Sequence, residues 1–190
     1  SEAIDSILSQ DIGFLESVEL ILVDDGSTDA SGAICDEYQH KYPENIVVIH
    51  KPNGGVASAR NAGIVVARGR YVNFMDSDDK LTPDTLSSVY DFFIEHDKEV
   101  DLVSVPIFYF EHKNEPHRLN YKYASDKAQV IDLTRYYSYV QMSSASAFFK
   151  REVLNDHTFD TSLRYAEDSK AIMELLLENP KYGIVPQGRY

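Results

Sequence analysis

"VELILVDDGSTDASGAICDEYQHKYPENIVVIHK", residues 18 to 51, decides how this chain folds. Its first part, VELILVDDG, is an apolar run closed by a turn signal and reads as a buried strand. DASGAICDEYQHKY then has helical spacing, with Asp29 available as its cap, and NIVVIHK is a second strand. A strand, a helix and a strand with no hairpin signal between them form a parallel crossover unit.

The same alternation continues outward. EAIDSILSQ places Ala3, Ile4, Ile7 and Leu8 on one helical face. VASARNAGIVVARG repeats apolar residues at helical spacing through Val56, Ala59, Gly63 and Val66 and is expected to close at Gly69, after which YVNFM is a strand. A helix from Pro83, a residue suited to a first turn, is expected to bury Leu86, Val89, Tyr90 and Phe93 and to lead into strand DLVSVPIFYF. Four alternations predict an α/β fold with a mostly parallel sheet flanked by helices. Right-handed crossovers gather the strand C-termini at one edge, where such folds bind ligands. The chain at that edge reads VDDGSTD, HKPNGG and MDSDD.

Beyond residue 110 the pattern changes. EHKNEPHRLNYKYASDKAQ is polar and Tyr-rich and is expected to be a loop or short hairpin. SASAFFKREVLNDH reads as a strand feeding a short helix, and AEDSKAIMELLLENP as a helix burying Ile172, Leu175 and Leu176. With no internal repeat or interdomain linker, residues 1–190 are expected to form one domain.

A chain of 190 residues buries roughly 70% of its unfolded surface, enough for a core and a pocket. The formal charge of −13 argues against a nucleic-acid partner, so a phosphate ligand would need a local basic residue or a metal. Cys35 is the single cysteine, which rules out an internal disulfide and fits a reducing compartment. The start, SEAIDSILSQ, has no basic stretch ahead of an apolar run and is not read as a signal peptide. The most apolar segment, VDLVSVPIFYF, is broken by Asp101, Ser104 and Pro106, short of the ~18 residues of a membrane span.

Four constellations carry possible chemistry. In MDSDD, Asp76 and Asp78 stand two apart at a strand end, where both could meet one hard cation; the plain alternative is a solvated loop with Asp79 capping the next helix. A calcium loop fails on spacing, because Lys80 takes the fifth position and no Gly the sixth. VDDGSTD is partly an ordinary strand-to-helix turn, but that does not require Asp24 and Asp25 together, where a carboxylate could accept from a ribose or a base. KPNGGVASARNAG sets two glycines before a helix, with Arg60 and Arg68 nearby, so amides and a helix N-terminus could receive an anion. RYAEDSK is either an acidic first turn favoured by the helix dipole or the seat of a general base.

In this order and spacing, ILVDDGSTD, KPNGGVASARNAGI, ARGRYVNFMDSDD and YAEDS resemble the family 2 glycosyltransferases, inverting enzymes of the GT-A fold. HRLNYKY and SSASAFFKRE look more particularly like enzymes that build teichoic acids or capsular polysaccharides. The resemblance implies that Asp25, with Asp24 beside it, contacts the uracil or ribose of a nucleotide-sugar donor. It sets Asn53 and Arg60 along the nucleotide, and Asp76, Ser77 and Asp78 as a D-x-D in which Asp76 approaches the ribose and sugar while Asp78, with Asp76, holds Mn²⁺ or Mg²⁺. Asp168 becomes the catalytic base, with Glu167 adjacent.

The implied partners are a UDP-sugar donor and a glycan or polyol-phosphate acceptor, with residues 1–110 as the donor half and 111–190 as the acceptor side. The implied location is the cytoplasm at the inner face of the plasma membrane, with any peripheral membrane association carried by segments outside this sequence. Family members begin with a strand of the kind V-S-V-I-I-P-x-Y-N, so residues are expected to precede Ser1 in the native protein. YGIVPQGRY likewise enters a strand and stops, and a third metal ligand or acceptor region is expected beyond Tyr190. Two other readings stand beside this one: a sugar nucleotidyltransferase, which favours an N-terminal basic Gly-rich loop not seen here, and a catalytically silent nucleotide-binding piece of a larger synthase.

Overall fold

The structure, a computed structural model, describes residues 1–110, 116, 117, 120, 123, 125–139 and 142–190. The chain runs α1 (Glu2–Leu8), α2 (Phe14–Ser17), β1 (Leu20–Asp24), α3 (Ser31–Lys41), β2 (Ile46–His50), α4 (Val56–Val66), β3 (Tyr71–Asn73), α5 (Thr85–Glu95) and β4 (Leu102–Ser104). It continues through β5 (Gln129–Asp132), β6 (Ala147–Lys150), α6 (Glu167–Glu178) and β7 (Lys181–Ile184), with a 3₁₀ turn at Arg151–Asn155. The stretch expected as a loop or hairpin, 111–129, lies largely outside the described residues.

The fold class is α/β as expected, and strand direction explains both what the alternation captured and what it missed. β1 and β2 pair in parallel, Leu20 opposite Ile46 and Asp24 opposite His50. The other strands form a five-stranded sheet in the order β3-β6-β4-β7-β5. β6 pairs antiparallel with both β3 and β4, while β4 and β7 are parallel, so β3, β4 and β7 share one direction. The predicted co-orientation of successive strands is therefore kept. The predicted adjacency is not, because β6 lies between β3 and β4, and β5 adds an antiparallel edge. A strand that arrives late in the sequence leaves no mark on the spacing of the earlier ones.

Side-chain alternation covers both faces of this sheet. Leu102, Phe149 and Ile184 turn to a cluster with Ile64 of α4 and Ile172, Leu175 and Leu176 of α6. Their neighbours Val103, Phe148 and Val185 turn to the opposite cluster, with Ile7 of α1 and Val89, Phe92 and Phe93 of α5. A fully buried side chain such as Phe93, at 0% exposure, contributes about 2–3 kcal/mol. Gly183 sits where this packing is tightest: a Cβ there would stand 2.3 Å from a Phe92 ring carbon.

Two helices differ from expectation. α5 starts at Thr85, and its buried face is Thr85, Val89, Phe92 and Phe93; Tyr90 is 44% exposed. α4 ends at Val66 and buries Ala57 and Ile64, while Val56 and Val66 face solvent. The apolar stripe misleads because Arg60 and Asn61, polar residues on the inward side, are held there by partners far along the chain.

Candidate functional site

α4 is the spine of the site. Ahead of it, Asp25 organises the glycine turn: Oδ1 accepts from the Gly54 amide at 3.0 Å and from the Lys51 ammonium, and Oδ2 accepts from the Gly55 amide at 2.7 Å. Asn53 Nδ2 donates to the Asp25 carbonyl at 2.9 Å. Burial pushes the Asp25 carboxyl up, but Lys51 and the two amides outweigh it, and the group lies below its ordinary value. Gly26 lets the two turns meet, with φ at 79° and a hypothetical Cβ only 2.8 Å from the Asn53 nitrogen. Beside this turn a cleft of about 280 Å³ opens between Gly54–Ala57 and Thr161–Arg164.

Asp24, next to Asp25 in sequence, belongs to a different network. Oδ1 accepts from the Ser27 amide at 2.9 Å, and Oδ2 lies 3.0 Å from His50 Nδ1, whose Nε2 lies 2.9 Å from Asp36 Oδ1. Hydrogen bonds from Ser27, then from His50, hold the Asp24 carboxyl down at about 2. Asp24 and Asp36 in turn raise the His50 imidazole above 6.5. A raised folded value means that His50 adds stability fully present below pH 6.5 and lost as pH rises through the folded value. His50→Gln is expected to remove that slope, read as the melting-temperature difference between about pH 6 and about pH 9. Identical profiles for the two proteins would show that the bridge is not a protonated one.

The acidic loop has one residue turned inward. Tyr190 Oη accepts from the Asp76 amide at 3.1 Å and donates to Asp79 Oδ2 at 2.7 Å. Burial, together with the charges of Asp78 and Asp76, raises the Asp79 carboxyl despite that bond. Asp79 therefore shapes the loop and does not cap α5. Tyr190 gives no local signal, and sequence reading missed it; Lys51 was likewise missed, although it stands within the quoted HKPNGG. Ser77 and Asp78 are exposed, beside a cavity of about 390 Å³ lined also by Glu2, Phe108 and Tyr109.

Arg60 connects this loop to α6. Nη1 donates to Glu167 Oε1 at 2.9 Å, Nη2 reaches Asp76 Oδ1 at 3.5 Å, and the guanidinium lies 5.3 Å from the Phe159 ring centroid. Arg60 stands five residues into α4, about 7.5 Å along the axis from the Gly55 cap. Ala166 at φ 63° turns the chain so that Glu167, which is buried, and Asp168 open the first turn of α6. Asp168 Oδ1 accepts from the Ser169 amide at 2.7 Å, and Oδ2 more loosely from the Ser144 amide at 3.3 Å. Of the residues expected in the site, the structure thus links Asp76, Arg60 and the Glu167–Asp168 pair, groups Asp25 with Asn53 one and a half turns away, and leaves Asp24 in the His50 network.

Among the described residues, no three His, Cys, Asp or Glu side chains stand together as a self-sufficient metal site. Asp78 is exposed with no side-chain partner among the described residues, and Asp76 is 51% exposed with one long contact. That donor set fits Mn²⁺ or Mg²⁺, which commonly takes one or two carboxylates and fills the remaining positions with phosphate oxygens and water.

The sequence pattern of Glycosyl transferase family 2 matches residues 1–158. The chain belongs to that family. It is 42% identical over 190 residues to the minor teichoic acid biosynthesis protein GgaB of Bacillus subtilis strain 168, covering 100% of this chain and 21% of GgaB. GgaA of the same organism, also named a minor teichoic acid biosynthesis protein, is 37% identical over 99% of this chain and 42% of its own length. The fold superposes with a TM-score of 0.83 on S. aureus TarS 1-349 in complex with UDP-GlcNAc, at 25% identity, covering 100% of this chain and 53% of that one. The chain thus spans less than half the length of the two curated relatives. No helix among the described residues is long and apolar enough to cross a membrane.

Proposed function

We propose that this chain is the donor-binding and catalytic part of an inverting, metal-dependent glycosyltransferase that moves a sugar from a UDP-sugar to a hydroxyl of a teichoic-acid-type glycan or polyol-phosphate polymer. The observation that carries the reading is the Arg60 bridge, which sets Asp76 of the acidic loop and Glu167, next to Asp168, on one guanidinium. The names of the bacillary relatives support the polymer class, and the TarS complex supports a UDP-sugar donor.

In this reading Asp168 is the catalytic base. Its Oδ1 is committed to a short amide bond, so Oδ2, with the looser contact, is the atom that takes the proton from the acceptor hydroxyl. The deprotonated oxygen attacks the anomeric carbon from the side opposite the diphosphate, the bond to the leaving oxygen breaks, and the configuration inverts. Asp78 and Asp76 would hold Mn²⁺ or Mg²⁺, which would supply positive charge for the departing diphosphate. Asn53 and the glycine turn held by Asp25 flank the donor, with Asp24 and Ser77 at the edges of that surface. A charge of −13 repels a polyanionic donor in general, which is why a local cation is needed.

UDP together with Mn²⁺ is expected to raise the melting temperature of the full-length protein by more than the two separate shifts combined. At 100-fold excess over Kd the stabilisation is about 2.7 kcal/mol, or roughly 5–10 °C for a domain of this size. Equal shifts by UDP with and without metal would count against a shared site.

A further inference from the structure

We infer that Arg60 is a positioning residue, which supplies the counter-charge of the acidic loop and ties that loop to the head of α6, and is not a contact to the nucleotide; the inference rests on the donor site proposed above. The first ground is commitment. The Arg60 side chain is 11% exposed and Glu167 9% exposed, and their 2.9 Å pair together with the reach to Asp76 uses both terminal nitrogens of the guanidinium. One of its faces is turned to Phe159.

The second ground is that the neighbouring residue fixes that ring. Asn61 Nδ2 donates to the Phe159 carbonyl at 2.8 Å, and the Phe159 amide donates to Asn61 Oδ1 at 2.9 Å. This reciprocal pair pins the backbone that carries the ring beneath the guanidinium. The third is the backbone that Arg60 restrains. Ala166 is the one non-glycine residue at positive φ among the described residues, and it stands directly before Glu167. A non-glycine in that region needs surrounding contacts to hold it, and the Arg60–Glu167 pair is one of them. A lysine could meet one carboxylate as a point charge, whereas the planar fork spans two.

The consequence is a division of labour. With its positive charge beside Asp76, Arg60 weakens the loop's hold on a bare cation while fixing where Asp76 stands. The Asp168 base then keeps its place relative to the loop through Glu167.

The test uses Arg60→Gln and Arg60→Lys in the full-length protein with three readings: Mn²⁺ binding without nucleotide by electron paramagnetic resonance, UDP binding in metal-free buffer by calorimetry, and amide hydrogen exchange at Ser169 and Lys170. For Arg60→Gln, Mn²⁺ alone is expected to bind about three- to tenfold more tightly, since a unit positive charge a few ångströms away has been removed. Exchange at Ser169 and Lys170 is expected to quicken about tenfold, and UDP alone to bind within about twofold of the parent. Arg60→Lys is expected to restore the parent Mn²⁺ affinity but not the exchange protection, and it carries the exchange reading if the Gln variant fails to fold.

Weaker binding of UDP alone, with Mn²⁺ affinity and exchange unchanged, would make Arg60 a nucleotide contact and overturn the inference. So would parent values in all three readings. The exchange reading needs no ligand, so a parent protein that bound no UDP would sink the donor reading and leave this result standing.

Discussion

Asp168→Asn is expected to lower the transfer rate of the full-length protein by about 10²- to 10⁴-fold, the range supplied by a positioned general base. The replacement is close to isosteric. Its carboxamide oxygen can keep the 2.7 Å bond from the Ser169 amide, which leaves an –NH₂ group where Oδ2 stood and no lone pair to take the acceptor proton. The start of α6 therefore survives while the chemistry does not. UDP binding with Mn²⁺ is expected to stay within about twofold of the parent, because the residue touches the acceptor side and not the nucleotide. Release of UDP from the best of a set of UDP-sugars, with calorimetry alongside, separates the alternatives. Loss of nucleotide binding would reassign Asp168 to the donor, and retained turnover would move the base to Glu167.

Asp78→Ala is expected to remove the metal-dependent part of UDP affinity, a loss of about 10- to 100-fold in the presence of Mn²⁺, and to leave metal-free UDP binding unchanged. This residue offers a clean experiment because its side chain is exposed and free of hydrogen bonds among the described residues, so the fold has little to lose; surface changes of this kind stay within about 0.5 kcal/mol. A melting temperature unchanged without ligand, with the joint UDP and Mn²⁺ shift reduced to that of UDP alone, is the expected result. Unchanged metal dependence would take Asp78 out of the site. Asp79 is the wrong control despite its proximity, since its bond to buried Tyr190 makes any substitution there a structural one.

The two aspartates of VDDG show how far a motif can be read without its surroundings. Both were expected along the donor. Asp25 lies under the glycine turn and Asp24 faces His50, because successive residues at a strand end point to opposite sides. Which side is the ligand side depends on where α3 and α4 pack, and neither helix announces that in its own residues. The D-S-D-D cluster divides similarly: Asp76 meets Arg60, Asp78 faces solvent and Asp79 meets Tyr190. Crowded carboxylates pointed to a missing counter-charge, and part of it is a side chain of the same chain.

Periodicity and turn chemistry act over a few residues, and so they determined the strand-helix order, the co-orientation of successive strands, the polar edge and the four acidic or glycine-rich segments. They also placed α6, whose Ile172, Leu175 and Leu176 are buried as expected. Only the tertiary structure decided that β6 enters between β3 and β4, that Arg60 meets Glu167 across 107 residues and that Tyr190 meets Asp79 across 111. Those pairings are made by packing two covered faces onto one sheet, and a hydrogen bond that depends on such packing has no spacing in the sequence by which to be read.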